Sequence, residues 1–241
     1  MRRVAPFTVL LLVTGCAFSP RGFDRGELTR AARVEQQEVT DAEIARVLAL
    51  RPQLTFPFKL AVWFRPPPAD RWRRVRHPWR EEDREAVLGA LRPLAAGGIV
   101  AELVAITDTT VQGEDLRAAR LAAARHGADA VLVITGASDV DRYNNLSAFL
   151  YATLVGLWIA PGSHAEGFFL ASGSLWDVRN EFLYATVEAE GTFGQTRPAL
   201  LLEDEEVVAG AKRIALASLA KELGARLRNL REAPPAAARA Q

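Results

Sequence analysis

The stretch that decides the fold is His126–Thr135, which reads HGADAVLVIT. From Ala130 onward its residues are apolar or β-branched without a break. A strand covered on both faces of a parallel sheet has such a run, whereas a strand with one face in water alternates. Gly127 follows a helical pattern at the position where a left-handed residue commonly ends a helix. The stretch therefore predicts a helix, a turn and a central strand.

Two more strand candidates precede this stretch, at residues 58–64 and 99–107, and each is followed by a helical pattern. Apolar residues at helical spacing predict these helices over residues 81–96 and 115–126. Strands and helices that alternate at these lengths are typical of right-handed parallel crossovers. A further helix is predicted nearer the N-terminus, over residues 28–50.

The C-terminal part predicts a hairpin and a long helix. Residues 168–176 and 182–190 are β-rich runs joined by a short polar turn, and residues 192–198 are predicted to be loop. Residues 203–230 carry an apolar stripe, with acidic residues first and arginines last, as the helix dipole prefers. The predicted fold class is α/β. It is a single three-layer domain, with a mixed sheet from βαβαβ crossovers, a C-terminal β-hairpin and a long C-terminal helix.

The N-terminus has the pattern of a bacterial lipoprotein signal peptide. Arg2 and Arg3 precede an uncharged apolar run that is too short to span a bilayer. The run ends in four residues that resemble a lipobox, namely Val13, Thr14, Gly15 and Cys16. The resemblance implies cleavage before Cys16, the only cysteine, and attachment there of diacylglycerol and acyl chains such as palmitate. A plain signal peptide with a chance cysteine is the alternative.

The predicted division of the chain follows from this N-terminus. Residues 1–15 are the removed signal peptide, 16–39 a lipidated N-terminus with tether and helix, 40–231 the α/β domain, and 232–241 a disordered tail. The tether itself is expected to run from Ala17 to about Arg30. The formal net charge is +1, which argues against general electrostatic capture of nucleic acid.

Several motifs resemble known envelope proteins. Gly127, Ala128 and Asp129 before the central strand, and Asp177 at the start of the hairpin turn, are similar to the α/β domain of the curli-secretion lipoprotein and of the Tol-Pal propeller protein. Motifs at residues 60–64, 151–156 and 161–164 resemble the rhombotarget lipoproteins. The resemblance covers about residues 58–191 and implies an α/β envelope lipoprotein without an established activity. The chain departs from that group in its long arginine- and tryptophan-rich loop and in lacking the group's C-terminal sorting signal.

An arginine- and tryptophan-rich stretch follows the first strand. Arginines between tryptophans suit an anionic surface, since tryptophan prefers the membrane interface and arginine supplies charge attraction. Lipid headgroups, lipopolysaccharide phosphates and cell-wall carboxylates are the candidate anions. A solvated loop whose tryptophans cap the sheet is the alternative. The candidate binding residues are Arg71, Trp72, Arg73, Arg74, Arg76 and Trp79.

An uncharged apolar segment begins at Leu146 and ends at Ala160. It is shorter than the ~20 residues of a typical spanning helix. We interpret segment 146–160 as core, with an oligomer contact as the alternative. A pore strand would alternate apolar and polar residues, and this segment does not.

Catalytic and metal-binding candidates are few. Asp108, Asp139 and Asp141 follow predicted strands, where α/β sheets bind ligands and where carboxylates could hold a hard cation. Asx residues also form ordinary turns, however. Ser163 and His164 are neighbours in sequence, a poor geometry for proton transfer between them. We expect that the protein binds no cofactor and no metal and that it is not an enzyme.

Together these features predict a non-catalytic lipoprotein on the periplasmic face of the outer membrane. The inner membrane is disfavoured because the residue after Cys16 is not aspartate. The expected partners are the membrane, through the lipid anchor, and an envelope protein or the cell wall, in a binding or assembly role. The alternatives are a structural homo-oligomer that uses segment 146–160, and a metal-assisted hydrolase at Asp108, Asp139 and Asp141.

Overall fold

The computed structural model describes residues 22–23, 25–32, 40–67, 78–144, 163–198, 201 and 203–232. The strands are β1 (Phe58–Phe64), β2 (Val100–Ile106), β3 (Ala130–Asn144), β4 (Ser163–Asp177) and β5 (Leu183–Arg197). The helices are α1 (Arg25–Ala32), α2 (Asp41–Ala49), α3 (Glu81–Leu91), α4 (Pro93–Ala96), α5 (Leu116–Arg125) and α6 (Asp204–Glu232).

The strands form one mixed sheet in the order β2-β1-β3-β4-β5. β1 lies between β2 and β3 and is parallel to both, whereas β3, β4 and β5 form an antiparallel meander. Helices α3 and α4 connect β1 to β2, and α5 connects β2 to β3. The predicted fold class is thereby confirmed: an α/β domain with a mixed sheet, a C-terminal hairpin and a long final helix.

Both faces of the central strands are buried, as the unbroken apolar run predicted. On one face, Val62 and Leu132 belong to the larger core, which α3 and α6 complete. On the other face, Trp63 and Val131 pack with alanines of α5 in a smaller core. The sheet is therefore the middle of three layers.

Beyond α5, the outer face of the β3–β4 hairpin is covered by the N-terminal segment. Leu28 of α1 is 1% exposed and packs with Ala137, Phe168 and Leu170. The sequence predicted a tether up to about Arg30 and a single helix over residues 28–50. The structure instead has two separate helices, and the first one is docked on the sheet because this apolar face requires a cover.

Strands β3 and β5 are longer than predicted. β3 continues past Thr135 to Asn144, and β5 includes most of the predicted loop at 192–198. In the added part of β3 the polar residues Asp139 and Asp141 alternate with Val140, which packs in the core. This alternation is typical of a half-buried strand. The sequence analysis had instead placed both aspartates after the end of the strand.

Helix α6 lies against β4 and β5 at backbone contact distance. A Cβ atom on Gly167 would come within 2.5 Å of the backbone carbonyl of Val207, and one on Gly191 would overlap the backbone of α6. On the helix itself, Gly210 makes room for the ring of Phe193. These glycines bring the helix and the sheet together more closely than any larger residue allows.

We expect Gly191→Ala to lower the free energy of unfolding by about 1–3 kcal/mol, the usual cost of overpacking, because the clash is with backbone. For a domain of this size that corresponds to about 2–4 °C in melting temperature per kcal/mol. Urea and thermal unfolding measure the effect.

Gly89→Ala is the matched control, since nothing lies within 4 Å of a Cβ built on Gly89 of helix α3. It should raise stability by roughly 0.5–1 kcal/mol through helix propensity. Equal stability of the Gly191 variant and the parent would contradict the close packing of α6.

Candidate functional site

The described residues that flank the arginine-rich stretch form a compact base. Trp79 is nearly buried, and its indole Nε1 donates a hydrogen bond of 2.7 Å to the carbonyl oxygen of Arg65. Its ring makes edge contacts with Phe64 at 5.4 Å and Phe169 at 5.8 Å between centroids. Trp79 thus links the chain after residue 77 to the chain before residue 68.

A buried ion pair completes this base. Lys212 of α6 is 3% exposed, and its Nζ lies 2.6 Å from Asp83 Oδ2 and 3.0 Å from the carbonyl oxygen of Pro78. The same ammonium lies 5.3 Å from the centroid of the Trp79 ring. The buried ammonium of Lys212 is thus satisfied by the half-buried Asp83 carboxylate and by a carbonyl oxygen.

This base packs beside the carboxyl end of β1, where the Trp79 ring contacts Phe64. A Cβ on Gly136 of β3 would clash with the Phe169 ring and lie 3.1 Å from the Trp79 ring. The Phe169 and Trp79 rings are therefore packed closely on the backbone of β3.

The predicted binding residues divide into two groups. Trp79 lies in the core, and we exclude its side chain from the proposed binding surface. The remaining residues of that set, Arg71, Trp72, Arg73, Arg74 and Arg76, lie outside the described residues. The lipobox residues Val13, Thr14, Gly15 and Cys16 and the segment 146–160 also lie outside them.

The three candidate aspartates have partners of their own. Asp108 follows β2 as predicted, accepts a hydrogen bond from Trp63 Nε1 at 3.3 Å and pairs with Arg84 at 3.3 Å. Asp139 and Asp141 lie within β3 rather than after it, and Asp141 Oδ2 accepts from the backbone amide of Gly22 at 2.8 Å. Within the described part of the chain no three His, Cys, Asp or Glu residues converge as metal ligands.

The turn between β4 and β5 contains a buried network that the sequence analysis did not identify. Asp177 is fully buried, and its Oδ2 accepts a 2.6 Å hydrogen bond from the Tyr184 hydroxyl. The backbone amides of Gln53 and Leu54 donate to that hydroxyl at 2.9 Å. Burial, with the bond to Asp177, raises the pKa of Tyr184 to about 12. The network ties the segment before β1 to the hairpin turn and is structural.

Ionic contacts surround the same turn. Glu181 pairs with Arg46 of α2 at 3.1 Å and also with Arg120 of α5. Although burial opposes it, hydrogen bonds from the Lys59 amide and from Arg179 lower the pKa of Asp129. These pairs hold α2 and α5 to the turn.

Lys212 is the residue of the base that sequence reasoning missed. Its signal was present: it occupies the apolar stripe of α6, flanked at helical spacing by Val208, Ala215 and Leu216. A lysine on the buried face of a helix requires an acidic partner. That partner, Asp83, stands in the first turn of α3.

Comparison with protein-family models gives no match, and comparison with curated proteins gives none. Solved structures with some likeness include a PelC dodecamer from Paraburkholderia phytofirmans, at 18% identity and a TM-score of 0.29, covering 71% of this chain and 94% of that one. A minor lipoprotein from Acinetobacter baumannii has 10% identity, a TM-score of 0.34, and coverage of 73% and 93%. At such scores the likeness carries no functional argument. The described helices include none that is long and apolar enough to cross a membrane.

We expect Lys212→Met to destabilise the protein by about 1–3 kcal/mol, because the half-buried Asp83 would lose its cation and the Pro78 carbonyl would lose its donor. Chemical denaturation provides the measurement. Lys221→Met, which removes an exposed lysine of the same helix, is the control and should change stability by less than about 0.5 kcal/mol. A loss below about 1 kcal/mol in the Lys212 variant, the value of an exposed pair, would refute the structural role of this ion pair.

Proposed function

We propose that this chain is a lipid-anchored protein of the cell envelope that acts as a non-catalytic binding or assembly factor on the periplasmic face of the outer membrane. The lipobox pattern ending at Cys16 supports the anchor. Two or more acyl chains give stable membrane attachment, since each buried CH₂ contributes about 0.8 kcal/mol. Ala17, in place of an aspartate, supports the outer rather than the inner membrane.

The observation that carries the binding role is the Trp79 base. It fixes the chain on both sides of residues 68–77 to the core. These ten residues include four arginines and a tryptophan, which suit contact with an anionic surface. In the envelope these anions are lipid headgroups, lipopolysaccharide phosphates or cell-wall carboxylates.

A structural homo-oligomer is the second candidate function. β3 and β4 pair up to their ends, Asn144 with Ser163, so segment 146–160 is inserted at the end of a fully paired hairpin. An uncharged apolar insertion at such a position is suited to contact a second copy. The metal-assisted hydrolase is not retained, because Asp108 is engaged by Trp63 and Arg84 and the other two aspartates belong to β3.

We expect Cys16→Ser to abolish acylation and release the protein from membranes. Incorporation of labelled palmitate and sedimentation of membranes through a density gradient are the two readouts. The parent should band with outer membrane, and the variant should remain in the soluble periplasmic fraction. An unchanged membrane fraction, or a parent chain that incorporates no fatty acid, would contradict the anchor.

Charge reversal tests the loop. In unacylated Cys16→Ser protein, changing Arg73, Arg74 and Arg76 to Glu should weaken binding to vesicles of phosphatidylglycerol on the order of 100-fold, since each arginine near an anionic surface contributes about 1 kcal/mol. Vesicle co-sedimentation at two salt concentrations measures it.

The matched control reverses three arginines that are exposed on α5 and α6, namely Arg125, Arg213 and Arg228. This control has the same net charge but an intact loop, and it should retain most of the binding. Equal weakening in both triple variants would assign binding to net charge and remove the role of the loop.

A further inference from the structure

The N-terminal segment is bound to one end of the sheet. The backbone amide of Gly22 donates to Asp141 Oδ2 at 2.8 Å, and Phe23 packs on Phe168 with ring centroids 5.1 Å apart. Arg25 lies 3.4 Å from Glu190 and over the Phe168 ring. Together with the buried Leu28, these contacts fix the segment where β3 ends and β4 begins.

Little chain separates this docked segment from the proposed anchor. Only residues 17–21 lie between Cys16 and Gly22, and fully extended they span at most about 20 Å. Glu166, the residue paired with Asp141, is separated from the opposite end of β4 at Asp177 by about 35 Å, at roughly 3.3 Å per residue. An acylated Cys16 can therefore reach the end of the sheet near Asn144 but not the β4–β5 turn.

The residues at the reachable end suit a membrane interface. Tyr143 and His164 pack with ring centroids 4.7 Å apart, and His164 Nδ1 lies 2.7 Å from the hydroxyl of Thr196. We call these three residues the hairpin end. Tyrosine rings with one polar edge are enriched at headgroup depth.

Two arginines near the hairpin end are paired with carboxylates within the protein. Arg142 pairs with Asp204 at 2.5 Å, and Arg197 pairs with Glu206 at 2.8 Å. The chain between Asn144 and Ser163 contains no charged residue. These two arginines therefore do not approach lipid as unpaired charges.

We infer that the hairpin end faces and contacts the phospholipid surface, so that the sheet stands on the membrane with the β4–β5 turn directed away from it. The inference rests on the lipid anchor of the proposed function and adds the orientation and the contact surface. The short chain before Gly22 keeps the hairpin end close to the headgroups. Because α1 is packed on the sheet, the orientation of the whole sheet follows.

Two single-cysteine variants test the orientation, since acylation leaves the chain no other thiol. Thr196→Cys and Thr186→Cys place a fluorophore on exposed positions of one face of β5, about 33 Å apart at roughly 3.3 Å per residue. The full-length acylated proteins are placed in phosphatidylethanolamine–phosphatidylglycerol vesicles that contain a headgroup-attached quencher. We expect at least threefold stronger quenching at residue 196 than at residue 186.

Equal quenching at both positions, or stronger quenching at residue 186, would overturn the inference. So would a vesicle-bound protein that is quenched at neither. If the label at residue 196 is shielded from lipid but self-quenched by a second copy, this end is an oligomer contact. That result would likewise overturn the inference. Failure of the protein to float with vesicles is a different result and would overturn the anchor itself.

A longer tether tests the cause of the orientation. Twenty Gly/Ser residues inserted between Arg21 and Gly22 should reduce quenching at residue 196 to the level of residue 186, while flotation is unchanged. The same insert after Glu232 is the control and should leave the quenching pattern intact. Undiminished quenching with the long tether would refute the role of the short chain.

Discussion

The structure depends on the requirement that both faces of a long central sheet be covered. β1 and β3 are apolar on both sides, so α5 and α6 must close a core on each. The β3–β4 hairpin extends beyond α5, and its outer face would be exposed at Phe168 and Leu170 if α1 were absent. Docking of the N-terminal segment is therefore a consequence of strand length, and it shortens the free chain before the domain.

The same requirement explains the packing around Trp79. Helices α3 and α6 cover one face of the sheet, and there the Trp79 ring packs against Phe169 with the Lys212–Asp83 ion pair beside it. A charged pair is a costly way to fill a core. Here Lys212 also donates to the carbonyl oxygen of Pro78 and so fixes the chain just before α3.

The sequence predicted those elements whose local residue pattern matches the way they are buried in the fold. The unbroken run from Ala130 marked the middle of the sheet, and the stripe and end charges of α6 marked the last helix. The part of β3 after Thr135 was not predicted. There Asp139 and Asp141 alternate with residues that face the core, and aspartates at such spacing are also typical of turns. A helix was predicted from Leu28, but its separation from α2 and its docking on the sheet were not, because one leucine and long-range contacts, rather than its own composition, hold α1 in place. Trp79 was predicted to lie on the surface because it follows a run of arginines, although its own position is buried. The contact between Lys212 and Asp83 could not be predicted, because a single sequence does not show which distant residues pair.

The position of α6 at the end of the chain has a consequence for how the protein is made. Residues from Val208 to Leu227 complete the larger core, and Gly167 and Gly191 can close only against the backbone of this helix. All five strands precede this helix in the chain, so they are synthesised before the residues that close their larger core. Stable folding therefore has to wait until α6 has left the ribosome.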